Sequence, residues 1–296
     1  MREGYDFLTT VGVKFKSGVK GGELTSFKSG GITPLVFYPE TSAQFVRLMS
    51  VLDNTSLKYK LLGAGTNTLI GDGGFDGVIV TLRDCKGFSF GGDIIEACAG
   101  VSLPQLAAFA AKDGLSGLEF ACGIPGTVGG GIYMNAGAYG ADIAGALLYA
   151  EIFDIGTKRI ERYSAKDLDF GYRTSHLQGG GLTVLKAAFK LNPSDIAAVK
   201  LTMSAYAKKR AECQPREPSL GSVFKRTQGV IPALLIDKAG LKGYNVGGAF
   251  ISEKHAGFII NKGGAASSDY ISLMQKARLT VKEMFGAELM PEIEII

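Results

Sequence analysis

The sequence predicts an α+β fold. Strands outnumber helices between residues 58 and 191, and no regular strand–helix–strand alternation runs through them. Two glycine-rich stretches, 63–77 and 123–140, lie beside strands. The chain holds 42 glycines in 296 residues, about twice the usual ~7%. No Gly-X-Y period explains them, which excludes collagen. A hydrophobic fraction of 46% with a net charge of +4 excludes general disorder. The glycines therefore mark backbone that bends sharply or approaches something closely.

Each element has a local reason. Residues 34–38 (PLVFY) read as a short strand. Helix 41–53 follows, with Thr41 as its cap and Phe45, Leu48, Met49 and Leu52 at helical spacing. Strands are predicted at 58–62, 78–82 and 94–98. Helix 103–113 has Ser102 to cap it, Pro104 in its first turn and Gly114 beyond its end. Strands near 147–155, 159–163 and 182–191 precede a boundary at Asn192-Pro193-Ser194-Asp195. A helix then runs to about Ala211, with Ile196, Val199, Met203, Tyr206 and Ala207 on one face. The last helix, 269–285, carries Ile271, Met274, Arg278, Val281 and Phe285 near one stripe and stops at Gly286. The chain ends in an extended LMPEIEII.

Several function classes drop out. The charge is mild and dispersed, so nothing calls for nucleic acid. Cys85, Cys98, Cys122 and Cys213 form no Cys-x-x-Cys pair, and only His176 and His255 could join them, so no metal site is expected. Reduced thiols in a cytoplasmic protein are the simple reading. The N-terminus lacks a signal-peptide apolar run, and Tyr5 and Tyr59 read as ordinary aromatics. The 22 uncharged residues 120–141 include seven Gly, a Pro and no Leu, which argues for a binding loop and against a membrane span.

The first glycine stretch begins Gly63-Ala64-Gly65-Thr66-Asn67-Thr68 straight after a strand. Thr68 stands where a dinucleotide fingerprint needs its third Gly, so the Rossmann reading fails. No Gly-Lys occurs, so a Walker A loop is excluded. Such backbone can still converge amides on an anion, or simply form a tight turn. The second stretch combines a Pro-Gly turn, a Gly triplet and an Asn-Ala-Gly-Ala-Tyr-Gly tail. Together the two stretches favour one diphosphate-bearing cofactor.

These stretches, GAGTNTLIGDGGFDG and IPGTVGGGIYMNAGAYG, resemble the flavin loops of UDP-N-acetylenolpyruvoylglucosamine reductases. The resemblance extends in order through Ser26–Gly31, Tyr38-Pro39, Phe170–Ser175, Gly221–Lys225, Ala239–Gly243, Lys254–Asn261 and Pro291-Glu292. It implies a vanillyl-alcohol-oxidase-type FAD-binding fold in two subdomains, 1–54 and 55–192. A substrate domain, 193–290, and a terminal strand, 291–296, returning to the active site would follow. It further implies NADPH-driven reduction of UDP-N-acetylglucosamine enolpyruvate to UDP-N-acetylmuramate, a step of peptidoglycan precursor synthesis. FAD would contact Gly63, Ala64, Gly65, Thr66, Asn67 and Thr68. On the second stretch it would contact Gly123, Ile124, Pro125, Gly126, Thr127, Gly129, Gly130, Asn135, Ala136, Gly137, Ala138 and Tyr139.

The reaction leaves negative charge on C2 and the adjacent carboxylate of the enolpyruvyl group. Arg173 suits a bidentate hold on that carboxylate. The resemblance makes Ser222 the proton donor to C2 and Glu292 the helper of Arg173. Taken alone, each residue also reads as an ordinary salt-bridging, loop-capping or solvated side chain, and Glu294 lies one strand step away. Tyr172, Lys225, Lys242, His255 and Asn261 are candidate substrate contacts, and His255 reads equally as a structural hydrogen-bonding residue. Arg226-Thr227 replaces the family's usual Asn-Pro, and no Tyr-bearing lid insertion is present, so the chain resembles the shorter type. No membrane insertion and no obligate protein partner are expected. Two competing readings are another FAD oxidoreductase of the same fold and a non-catalytic nucleotide-binding regulator. Neither has a reason to keep Ser222, Arg173 and Glu292 together.

Overall fold

A computed structural model describes Leu8 and residues 10–296. Tyr5 lies outside the described residues. The described residues form two compact units, Leu8, 10–16, 35–64 and 77–210 in the first, and 17–34, 65–76 and 211–296 in the second. The contiguous division expected at 54, 192 and 290 differs from these interleaved units. The physical reason is long-range strand pairing. Thr68–Leu69 pairs in parallel with Glu294–Ile295, while Pro193 pairs with Leu115 and Ser194 N–H donates to Gly114 O.

In the first unit, Val78–Thr81 lies between Leu35–Phe37 and Tyr59–Leu62, all parallel. The crossover helix Ser42–Leu52 begins where Thr41 accepts from Gln44 N–H, as its sequence predicted. It buries Phe45, Leu48, Met49 and Leu52 against that sheet. A five-stranded antiparallel sheet follows, in the order Arg159–Ser164, Leu147–Asp154, Leu182–Lys190, Ile94–Cys98 and Phe88–Gly91. Its core includes the helix Leu103–Lys112, capped by Ser102. The helix Ile196–Cys213 buries only Val199, so its expected apolar face is largely solvated.

The second stretch is not one continuous loop. It contains the helix Val128–Tyr133, and a 3-10 turn Glu119–Gly123 leads into it. No helix among the described residues is long and apolar enough to cross a membrane.

The second unit holds an antiparallel sheet in the order Ser219–Ser222, Phe258–Asn261, Ala249–Ile251 and Asn245–Val246. The helix Ser267–Phe285 packs on it through Tyr270, Leu273, Met274, Ala277 and Val281. The stripe predicted from Ile271, Arg278 and Phe285 is thus rotated by one residue, and Phe285 is exposed. Ala266 has no side-chain oxygen to cap this helix. Asp72 does so from another segment, accepting from Ser267 N–H at 2.7 Å and Ser268 N–H at 2.9 Å.

Tyr270 is fully buried edge-on to Phe27, and its hydroxyl has no hydrogen-bond partner among the described residues. Burial, and then the Glu292 charge, push its phenol pKa up. Tyr270→Phe should therefore stabilise the protein by about 1 kcal/mol, because an unpaired buried hydroxyl is removed. Denaturant titration checks this. A loss of stability would mean that the hydroxyl is bonded in solution.

Candidate active site

Gly63 and Ala64 leave the strand Tyr59–Leu62, and their N–H groups take no hydrogen bond among the described residues. Thr81 Oγ1 donates to Gly63 O at 3.1 Å, which fixes the turn. A Cβ on Gly63 would lie 3.2 Å from Thr127 Oγ1 and 3.8 Å from Gly130 Cα. The first stretch thus meets the second at Thr127, two segments the sequence separates by some 60 residues.

Thr127 caps the short helix, its Oγ1 accepting from Gly130 N–H. The other amides of that turn are also engaged. Val128 N–H donates to Val101 O, Gly129 N–H to Ala99 O, and Gly131 N–H to Thr127 O. Gly63 and Ala64 thus offer amides, unpaired among the described residues, that suit an anion.

Several glycines expected to contact the cofactor also have internal reasons. A Cβ at Gly129 would sit 3.1 Å from Ala99 Cβ, and one at Gly137 would sit 2.7 Å from Ala141 O. Close helix–sheet packing and a tight hairpin demand glycine there. Asn135 is likewise internal, donating to Gly171 O at 3.0 Å and Asp142 Oδ2 at 3.2 Å while accepting from Ala144 N–H.

Asn135 positions the next site residue. Gly171 and Thr174 exchange backbone hydrogen bonds around Tyr172-Arg173, and Arg173 is left-handed at φ +57. A non-glycine residue in that region costs about 1–3 kcal/mol and persists where surroundings over-determine it. Those surroundings are visible. Arg173 Nη1 donates to Asn135 O at 3.3 Å and Nη2 to Gly137 O at 2.9 Å. Gln178 Nε2 donates to Arg173 O at 3.1 Å. The guanidinium is half-buried and lies 5.0 Å from the Tyr172 ring, itself exposed. Sequence reading missed Gln178 because nothing local distinguishes it.

In the second unit the strand Ser219–Ser222 runs into a ladder with the chain end. Glu292 N–H donates to Val223 O at 2.8 Å, and Lys225 N–H donates to Met290 O at 2.8 Å. Asn67 secures the same segment, its Nδ2 donating to Glu292 O at 3.0 Å while its carbonyl accepts from Glu294 N–H. Of the two glutamates, Glu292 is the one joined to the Ser222 segment, and Glu294 pairs with Thr68. Ser222 is exposed, and its hydroxyl makes no hydrogen bond among the described residues. After Lys225, Thr227 and Val230 close a tight turn in place of the family's Asn-Pro.

Two of the expected substrate contacts carry internal hydrogen bonds. Asn261 is buried, donating to Phe27 O at 2.9 Å and accepting from Gly263 and Ala265 N–H, so its side chain is spent inside the unit. His255 Nδ1 accepts from Gly257 N–H at 3.1 Å, a structural turn. Lys242 is paired with Asp237 at 2.7 Å. Lys225 is half-buried.

Burial, then the Arg226 and Lys242 charges, lower the His255 pKa. The unfolded chain therefore binds the proton more readily, and stability should fall as pH drops below about 6.5. His255→Gln should flatten that slope between pH 7 and 5 in a thermal-unfolding series. An unchanged slope would remove His255 as its source.

A family model described as an FAD binding domain matches residues 33–155. With the meeting of the two glycine stretches, this defines the chain as a flavoprotein. A second model, described as the C-terminal domain of UDP-N-acetylenolpyruvoylglucosamine reductase, matches residues 214–296. The reductase of that name from Petrotoga mobilis is 40% identical over 278 residues, covering 92% of this chain and 91% of that protein. The one from Caldicellulosiruptor bescii is 40% identical, covering 98% and 93%. The crystal structure of UDP-N-acetylenolpyruvylglucosamine reductase from Thermus caldophilus matches with a TM-score of 0.82 at 33% identity, covering 96% of this chain and 98% of that one. The chain belongs to the UDP-N-acetylenolpyruvoylglucosamine reductase family.

Proposed function

We propose that this protein reduces UDP-N-acetylglucosamine enolpyruvate to UDP-N-acetylmuramate, with FAD as its cofactor and NADPH as the hydride source. Family membership over nearly the whole chain is the observation that carries this reading. The residues fit the cofactor. Gly63 and Ala64 offer unpaired amides beside Thr127, where an added Cβ would crowd the approach.

Bound FAD supplies the hydride chemistry, and the protein supplies orientation and charge. Arg173 holds the substrate carboxylate through its planar fork and stabilises the charge that builds there. Its two carbonyl partners keep the fork in place before substrate arrives. Ser222 Oγ–H gives the proton to C2. Its lack of a hydrogen bond among the described residues supports this role. It is a weak acid in water, so bound substrate has to exclude solvent around it. Glu292 assists Arg173, and its backbone bond to Val223 keeps it beside the Ser222 segment. Lys225 is a contact for the substrate diphosphate, and Tyr172 and Lys242 are further contacts.

We also propose that the protein works in the cytoplasm, on a small-molecule substrate, without nucleic acid or an obligate protein partner. Purified protein reconstituted with FAD should oxidise NADPH over many turnovers only when UDP-N-acetylglucosamine enolpyruvate is present. Flavin bleached by NADPH but not reoxidised by that compound would point to a different substrate. Failure to take up FAD would sink the flavin reading altogether.

A further inference from the structure

The end of the helix Ile196–Cys213 lies on the second glycine stretch, within the first unit. A Cβ at Gly123 would come within 2.8 Å of Arg210 Cδ and 3.5 Å of its Nε. The Arg210 stem therefore lies across Gly123, and a side chain there would displace it. One turn earlier, Tyr206 stacks on Tyr139, with ring centroids 4.1 Å apart and planes at 10°. The Tyr139 hydroxyl donates to Tyr206 O at 3.0 Å. Both ends of the stretch thus converge on the last turns of this helix.

The Arg210 guanidinium is half-buried, yet no described residue gives it a hydrogen bond or an ion pair. The ionisable groups acting on it are the Tyr139 phenol and the Cys122 thiol, and burial lowers its pKa from the usual arginine range. Lys208 and Lys209 precede it, and Glu212, the one acidic residue of its helix, forms no ion pair with it among the described residues. A desolvated cation without a partner is unfavourable. An oxyanion of matching fork geometry would complete it.

We propose that Arg210 is a diphosphate-binding residue, its guanidinium taking non-bridging oxygens of a nucleotide diphosphate bound along the 123–139 stretch. This rests on the flavoprotein reading. The diphosphate belongs either to FAD or to the UDP-sugar, and binding measurements separate the two.

The test compares wild type, Arg210→Met, which keeps the stem over Gly123, and Arg210→Lys, which keeps the charge. FAD and riboflavin are titrated into the apoprotein by flavin fluorescence. UDP is titrated into the FAD-loaded protein by flavin absorbance. Arg210→Met should weaken one diphosphate ligand by about 10- to 100-fold, the loss of charge-assisted hydrogen bonds. Riboflavin binding should stay unchanged, and Arg210→Lys should recover part of the loss. Weakened FAD binding assigns the cofactor diphosphate, and weakened UDP binding assigns the substrate. Apo Arg210→Met should unfold at the same temperature as wild type or higher, because an unpaired cation has been removed. Equal losses for FAD and riboflavin would overturn the proposal in favour of a packing role. Wild-type-like binding of both FAD and UDP would overturn it alone. Wild-type protein that binds neither would overturn it together with the flavin reading.

Discussion

Ser222→Ala should leave reduction of the bound flavin by NADPH at its wild-type rate and slow turnover of the enolpyruvyl substrate by about 10²–10⁴-fold, the usual contribution of a positioned proton donor. Single-turnover absorbance of the two half-reactions separates these effects. Stability should not change, because the Ser222 hydroxyl has no partner among the described residues. The backbone around it is held independently by Val223 N–H on Gly257 O and Glu292 N–H on Val223 O. Normal substrate turnover in the variant would remove Ser222 as the donor. A parallel loss of both half-reactions would instead indicate damage to the flavin site.

Gly65→Ala should be strongly destabilising. Gly65 is buried at φ +66, and a Cβ would sit 2.0 Å from Leu24 O and 3.0 Å from Thr25 Cα. Its own carbonyl accepts from Ser26 N–H at 2.9 Å, so the two backbones cannot part without breaking that bond. The positive φ alone costs about 1–3 kcal/mol, and the backbone collision adds to it. A loss of at least about 3 kcal/mol is expected, or a fall in Tm of roughly 6–12 °C, with reduced FAD content. Gly73→Ala is the control, since a Cβ there meets nothing within 4 Å and φ is ordinary. Equal Tm values for the two variants would show that close approach is not what demands glycine at 65.

Much of the architecture was legible in order along the chain. Thr41 and Ser102 cap their helices, and Gly286 ends the last one at φ +66. The glycine stretches were legible as binding candidates because positive φ and bare backbone leave a compositional mark. The division of labour within them was not. Gly123, Gly129 and Gly137 answer to Arg210, Ala99 and Ala141, while Gly63 and Ala64 keep unpaired amides. Glycine looks the same in sequence whether a ligand or a neighbouring chain segment requires it. The same limit applied to Asn261, whose amide is engaged by Phe27, Gly263 and Ala265, and to His255, whose Nδ1 accepts from Gly257.

By itself the sequence determined the local elements, the family and the set of reactive side chains. Periodicity, caps and motifs depend on residues within a few positions of one another. Only the tertiary structure decided which glutamate joins Ser222, what holds the Arg173 fork, and which half-buried cation has no partner among the described residues. Each of these turns on a hydrogen bond, or its absence, between segments far apart in the chain. Asn67 on Glu292 and Asn135 around Arg173 are examples. Such pairings follow from the packing of whole units, and no short stretch of sequence encodes them.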